Sequence, residues 1–225
     1  MLSISINLFA SDYCNTEIND ADSLNKNGKT LYGSEYFPLD LKKKLIYNSN
    51  FGDLELKVTK EKDSYTFFYD SDKFKYKQKL KSSENGLFII ETYQKIKVML
   101  LVTKEGKYVY DKPLLRVPFP VYVGQEWKWD GKEFIEDETH TVNVKAKASK
   151  FETITTPAGK FEALKIETTL ATSEGAKNII TEWYVKNLGM VKMKVSIEGG
   201  GMLGFARDIL GYGAIEFDLK QIKDK

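Results

Sequence analysis

Leu54, Leu56 and Val58 alternate with Glu55, Lys57 and Thr59. Strict alternation places one set of side chains on each face of an extended strand. The same period of two recurs in Phe74, Tyr76 and Leu80 among lysines, in Val142, Val144, Ala146 and Ala148, in Leu164, Ile166 and Leu170, and in Ile215, Phe217 and Leu219. Turn-forming clusters punctuate these runs: Asp63-Ser64, Asp70-Ser71-Asp72, Glu84-Asn85-Gly86, Asp130-Gly131 and Lys186-Asn187-Leu188-Gly189. Thr156-Pro157-Ala158-Gly159 fits a type I turn, with proline second and glycine fourth. Further strands are predicted over 65–69, 87–93, 179–185 and 190–197, with a long one from about His140 to Ile154. Ile96–Thr103 and Tyr108–Tyr110 read as a hairpin turning at Lys104-Glu105-Gly106-Lys107.

Pro113, Pro118 and Pro120 interrupt ladder bonding, so 112–121 reads as a connector or edge segment. The glycine-rich stretch 199–213 leaves room for one short helix near 202–210. No segment has a helical period long enough for an α/β fold. The expected class is all-β: an antiparallel barrel-like or sandwich sheet.

The chain also repeats its own pattern. Phe37-Pro38-Leu39-Asp40-Leu41, followed by Leu45 and Tyr47, returns 82 positions later as Phe119-Pro120-Val121-Tyr122-Val123, followed by Trp127 and Trp129. Each copy leads into alternating residues, which points to two similar halves, 35–117 and 118–225, within one β domain. Residues 12–34 are acidic, rich in asparagine and short of apolar anchors, so 1–34 reads as a weakly ordered tail or signal remnant. Within it, 1–11 fits either the end of an export signal closing on Ala10 and Ser11 or a short strand with Leu2, Ile4, Ile6 and Leu8 in alternation.

With 225 residues the chain buries enough surface to fold without staples. One cysteine, Cys14, excludes an internal disulfide framework, and one histidine, His140, excludes most multi-histidine metal sets. Net charge is +2, and only two of the basic residues are arginines, Arg116 and Arg207. Bidentate readout of bases favours arginine, so no specific nucleic-acid partner is expected. No apolar run is long enough to span a bilayer as a helix.

Several of these elements together resemble a group of exported bacterial proteins of unknown function with a β-barrel-like fold. They are Phe37-Pro38-Leu39, Pro118-Phe119-Pro120 with Gly124 and Trp127, Thr156-Pro157-Ala158-Gly159-Lys160-Phe161, and Glu182-Trp183-Tyr184-Val185 followed by Gly189-Met190-Val191. Lys42-Lys43-Lys44 departs from the pattern, standing where a glycine would parallel Gly124. The resemblance implies a periplasmic or extracellular location and a β architecture. It brings no catalytic residues.

The residues that bear chemistry are few. His140 is the sole candidate histidine base, but no nucleophile elbow of the form G-x-S-x-G accompanies it. Its position after an acidic run predicts a solvated surface residue. Glu133, Glu136, Asp137 and Glu138 follow Gly131 and are split by Phe134-Ile135; calcium loops space their oxygens otherwise, so these read as a charged loop and no metal site is predicted. Lys73, Lys75, Lys77, Lys79 and Lys81 would line one face of a strand over about 27 Å. Such a strip suits either contact with an anionic envelope surface or protection of an outer strand from aggregation. Trp127 and Trp129 share a face and would either plug the core or, with Trp183 and Phe205, wall and cover an interior site. The resulting expectation is an exported, non-enzymatic barrel, without cofactor, whose interior takes an apolar or amphipathic, lipid-like molecule. The alternatives are an envelope-interaction module acting through the lysine strip and a hydrolase using His140.

Overall fold

A computed structural model describes residues 24, 28–97, 103–200, 204, 207–208 and 214–224. The described residues form twelve strands: β1 (Lys43–Ser49), β2 (Gly52–Lys60), β3 (Tyr65–Asp70), β4 (Phe74–Ser83), β5 (Gly86–Lys97), β6 (Thr103–Pro118), β7 (Glu126–Ile135), β8 (Glu138–Thr156), β9 (Gly159–Thr172), β10 (Ala176–Val185), β11 (Gly189–Gly199) and β12 (Ala214–Asp224). Each strand pairs antiparallel with its neighbours in sequence, and β1 pairs with β12, so the sheet closes into an up-and-down barrel. Closure leaves no edge to template aggregation. A 3-10 turn at Ser34–Tyr36 precedes it. Of the expected helix, Gly204, Arg207 and Asp208 are helical and the remainder lies outside the described residues, as do 1–23 and Cys14.

Alternation makes the barrel's inside apolar. On β8, Val142, Val144, Ala146 and Ala148 are buried while Thr141, Asn143, Lys145 and Lys147 are exposed. Charged outer positions such as Lys128, Asp130, Lys145 and Lys147 are the reverse of the apolar belt that a membrane-spanning barrel turns toward lipid. No helix among the described residues is long and apolar enough to cross a membrane. One end of the barrel is plugged. Phe37 packs on Tyr184 and Phe119, with ring centroids 4.6 and 5.7 Å away, and Tyr32 and Val121 exchange backbone bonds of 2.7 and 2.8 Å. The opposite end carries the turns after β3, β7 and β9.

Two local expectations are corrected. Lys104–Lys107 is no turn but part of strand β6, paired with Tyr93–Ile96 on β5. Of the two readings of the proline segment, the connector fails, because β6 runs through Pro113 to Pro118, while the edge character holds on the side of β7. The sheet accommodates Pro113 by a bulge: Ile89 faces Leu114 while Glu91 faces Val109. On its other side β6 pairs with β7 only at Val109–Phe134 and Tyr110–Glu133. Side chains complete that seam. The Trp129 indole N–H donates to the Pro113 carbonyl and that of Trp127 to the Arg116 carbonyl, both at 3.1 Å, and the Lys132 amide donates to Asp111 Oδ1 at 3.0 Å. A proline that cannot donate is thus served through its acceptor.

Candidate functional site

Twelve strands enclose more room than the eight that side chains alone can fill. Large rings on β1, β3, β4 and β12 (Tyr47, Tyr69, Phe74 and Phe217) fill one side of the interior. Smaller residues opposite them leave a cavity of about 170 Å³. Its walls include Ile89, Leu114, Val144, Leu170, Ile180, Met193 and Val195, and its polar residues gather in two places.

Midway down the barrel, Arg116 on β6 is surrounded by acceptors. Its guanidinium donates to Glu182 Oε1 at 2.6 Å, to the Tyr184 hydroxyl at 2.7 Å and to Gln78 Oε1. Both members of the Arg116–Glu182 pair are nearly out of water, with side chains 15% and 10% exposed. Burial alone would lower the arginine's proton affinity, but Glu182 reverses this and holds it above its usual range. Burial also raises the hydroxyls of Tyr69 and Tyr76, and pushes Tyr110 up to about 12, so all three stay neutral.

At the end away from the plug, Glu133, His140 and Glu174 come together. Glu133 continues the inward series Trp127, Trp129, Gly131 on β7, and register places it opposite His140 on β8. Glu174 lies in the turn from β9 to β10. His140 Nε2 lies 3.2 Å from Glu138 Oε2, whereas Nδ1 lies 3.7 Å from Glu133 Oε1 and 3.9 Å from Glu174 Oε2. Burial pushes the Glu133 carboxyl up to about 7; the His140 imidazole opposes this rise and Glu174 adds to it. Nδ1 of His140 is buried without a hydrogen-bond partner. So are Gln94 Oε1, Thr172 Oγ1 and Asn178 Oδ1, whose residues line the same cavity. Burial without a partner costs each such group about 1–3 kcal/mol, which a bound molecule able to donate would recover.

His140 is therefore not the solvated surface residue expected from the sequence; its side chain is 12% exposed and points inward. Of the acidic run, Glu136 and Asp137 form the exposed β7–β8 turn, while Glu133 is buried. None of the tryptophans belongs to the cavity wall. Trp127 and Trp129 are buried at the β6–β7 seam, and Trp183 sits on the outer face, donating to Glu152 Oε1 at 2.7 Å. Phe205 lies outside the described residues. The lysines at 73, 75, 77, 79 and 81 project outward on or beside β4. Lys75 pairs with Asp70 at 3.0 Å, Lys79 pairs with Glu61 at 2.6 Å, and Lys77 lies 4.8 Å over the Phe68 ring. Sequence reasoning passed over Arg116, Gln78, Glu182, Glu174 and the unpaired amides. The available signal was parity: Arg116 is in phase with buried Leu114, and Glu182 with buried Tyr184.

Residues 128–203, from within β7 to just beyond β11, match the family model described as DUF3108-like, which covers less than half of the chain. Among solved structures, the chain is similar to a protein assigned as a lipoprotein from Parabacteroides distasonis, with 14% identity, 84% of this chain and 98% of that one aligned, and a TM-score of 0.38. It is also similar to a protein from Bacteroides fragilis assigned as exported and as having a YmcC-like fold, with 13% identity, 83% and 98% aligned, and a TM-score of 0.42. No curated protein matches.

Proposed function

We propose that this is an exported, non-enzymatic barrel that binds an apolar or amphipathic small molecule in its interior. The observation that carries the reading is the cavity of about 170 Å³, whose walls mix aliphatic and aromatic residues with polar ones and carry unpaired acceptors on Gln94, Thr172 and Asn178. A dry cavity of roughly 150 Å³ holds a benzene molecule. The interior therefore suits one ring or a short alkyl end, smaller than the cargo of a typical drug-sized pocket. A donor-bearing head would satisfy the acceptors. The export component rests on the sequence resemblance, and fractionation of producing cells tests it; protein held in the cytosol would count against it.

Native mass spectrometry and solvent extraction of gently purified protein test the binding component. The expected result is a co-purifying small molecule, or saturable uptake of a one-ring donor such as aniline or phenol. Filling the cavity by Ile180→Trp should weaken uptake at least about tenfold while the barrel remains folded. Failure of the wild-type protein to retain or take up any such molecule would end the reading.

A further inference from the structure

Glu133, His140 and Glu174 each present one ligand atom, and these atoms lie within 4.8 Å of one another. Two carboxylates turned toward one buried nitrogen are an unfavourable arrangement unless a cation joins them. The Glu133 side chain is only 5% exposed, and its closest approach to the imidazole, 3.7 Å, is beyond hydrogen-bond reach. The imidazole is oriented for the same purpose. Its Nε2 lies 3.2 Å from Glu138 Oε2, while the buried Nδ1, without a hydrogen-bond partner, faces Glu133 and Glu174. A carboxylate behind a histidine is how metal-ligating imidazoles are fixed in tautomer and direction.

The donor set, one nitrogen and two carboxylate oxygens, selects the ion. Calcium would require six to eight oxygens, whereas zinc and its first-row neighbours accept nitrogen and oxygen together. Bond lengths of about 2.0–2.1 Å in a tetrahedral shell put ligand atoms about 3.3–3.4 Å apart. The observed separations from Nδ1, 3.7 and 3.9 Å, need contract by a few tenths of an ångström, and the two carboxylate oxygens, within 4.8 Å of each other, would close the rest by rotation of the partly exposed Glu174 side chain. Glu133 and Glu174 also line the cavity, so a fourth coordination position would face into it.

We propose that Glu133, His140 and Glu174 form a three-ligand site for a divalent transition-metal ion, with Glu138 as the positioning residue and the fourth position open to the barrel interior. The site does not depend on the ligand reading above, because it can be tested on solvent-extracted protein that holds no small molecule.

The chain's single histidine makes the test specific. Zinc is titrated into the full chain carrying Cys14→Ser, so that no thiol competes, by calorimetry and by nitrogen NMR of the imidazole. One equivalent should bind, with Nδ1 and not Nε2 shifting on saturation. His140→Gln, Glu133→Gln and Glu174→Gln should each weaken binding at least about tenfold, and Glu138→Gln about 10–100-fold with loss of the Nδ1 preference. Thermal melts of each variant confirm folding, and if Glu133→Gln unfolds the barrel, the less buried His140 and Glu174 variants decide. No saturable binding below about 1 mM zinc, or binding that survives His140→Gln, overturns the proposal. So does an imidazole shift produced by an alkylammonium ion and not by zinc, which would make the site one for an organic cation.

Discussion

Replacing Glu182 with leucine removes the one carboxylate bonded to Arg116 among the described residues while leaving the guanidinium where it is. That guanidinium is 85% or more out of water, and it cannot relieve its burial by losing a proton. Gln78 and Tyr184 remain as neutral acceptors, so some solvation survives. Stranding one member of a buried pair costs about 3–5 kcal/mol, and this variant should fall in that range. With a urea m-value near 3 kcal/mol/M, the unfolding midpoint should drop by about 1–1.7 M. Arg116→Met should cost less, because a stranded carboxyl can take up a proton. The double variant Arg116→Met/Glu182→Leu should recover part of that loss but stay about 1–3 kcal/mol below wild type, because apolar chains replace the costly pair while Gln78 Oε1 and the Tyr184 hydroxyl lose their donor. Urea titrations followed by tryptophan fluorescence on all four proteins close the cycle. A Glu182→Leu cost below about 1 kcal/mol would refute the reasoning, because it would mean that water in the cavity already solvates Arg116.

Trp129→Phe deletes the indole bond to the Pro113 carbonyl at a seam with few backbone rungs and should cost about 2 kcal/mol in the same assay. Trp183→Phe, on the outer face, should cost under about 1 kcal/mol; equal costs would dismiss the seam argument. Gly131→Ala places a methyl 2.6 Å from Trp129 Cζ2 and 2.7 Å from Asp111 Oδ1, and this overpacking should cost about 1–3 kcal/mol by thermal or urea unfolding. A neutral result would mean that the Trp129 ring is free to move. Lys75→Gln/Lys77→Gln/Lys79→Gln should leave sedimentation with anionic vesicles unchanged, because Asp70 and Glu61 already compensate two of these charges. Loss of co-sedimentation would instead make the strip a docking surface.

The β class was legible because a strand half in water writes its two faces into alternate residues, as Val142 to Ala148 do on β8. Turn chemistry located most hairpins, including the two-residue Pro157-Ala158 loop. It failed at Lys104–Lys107, whose polar residues mimic a turn but face solvent from within a strand. The prolines misled for a similar reason: Pro113 rests in a bulge, and the tryptophan that serves its carbonyl comes from the next strand. His140 was misjudged because the acidic residues before it are of two kinds, Glu136 and Asp137 in the turn and Glu133 facing inward. Composition does not distinguish those, but the phase of Trp127, Trp129 and Glu133 does.

By itself the sequence determined a sheet with one apolar and one charged face, since those properties follow from nearest-neighbour alternation and local turn geometry. Only the tertiary structure decided that this sheet closes on itself, because β1 meets β12 across nearly the whole chain. Closure sets which apolar face becomes an interior, how much of that interior stays empty, and which polar residues converge there. Glu133 and His140 meet across the β7–β8 hairpin, but Glu174 reaches them from the turn after β9 and Glu182 reaches Arg116 across the interior, relations that alternation along a single strand does not record.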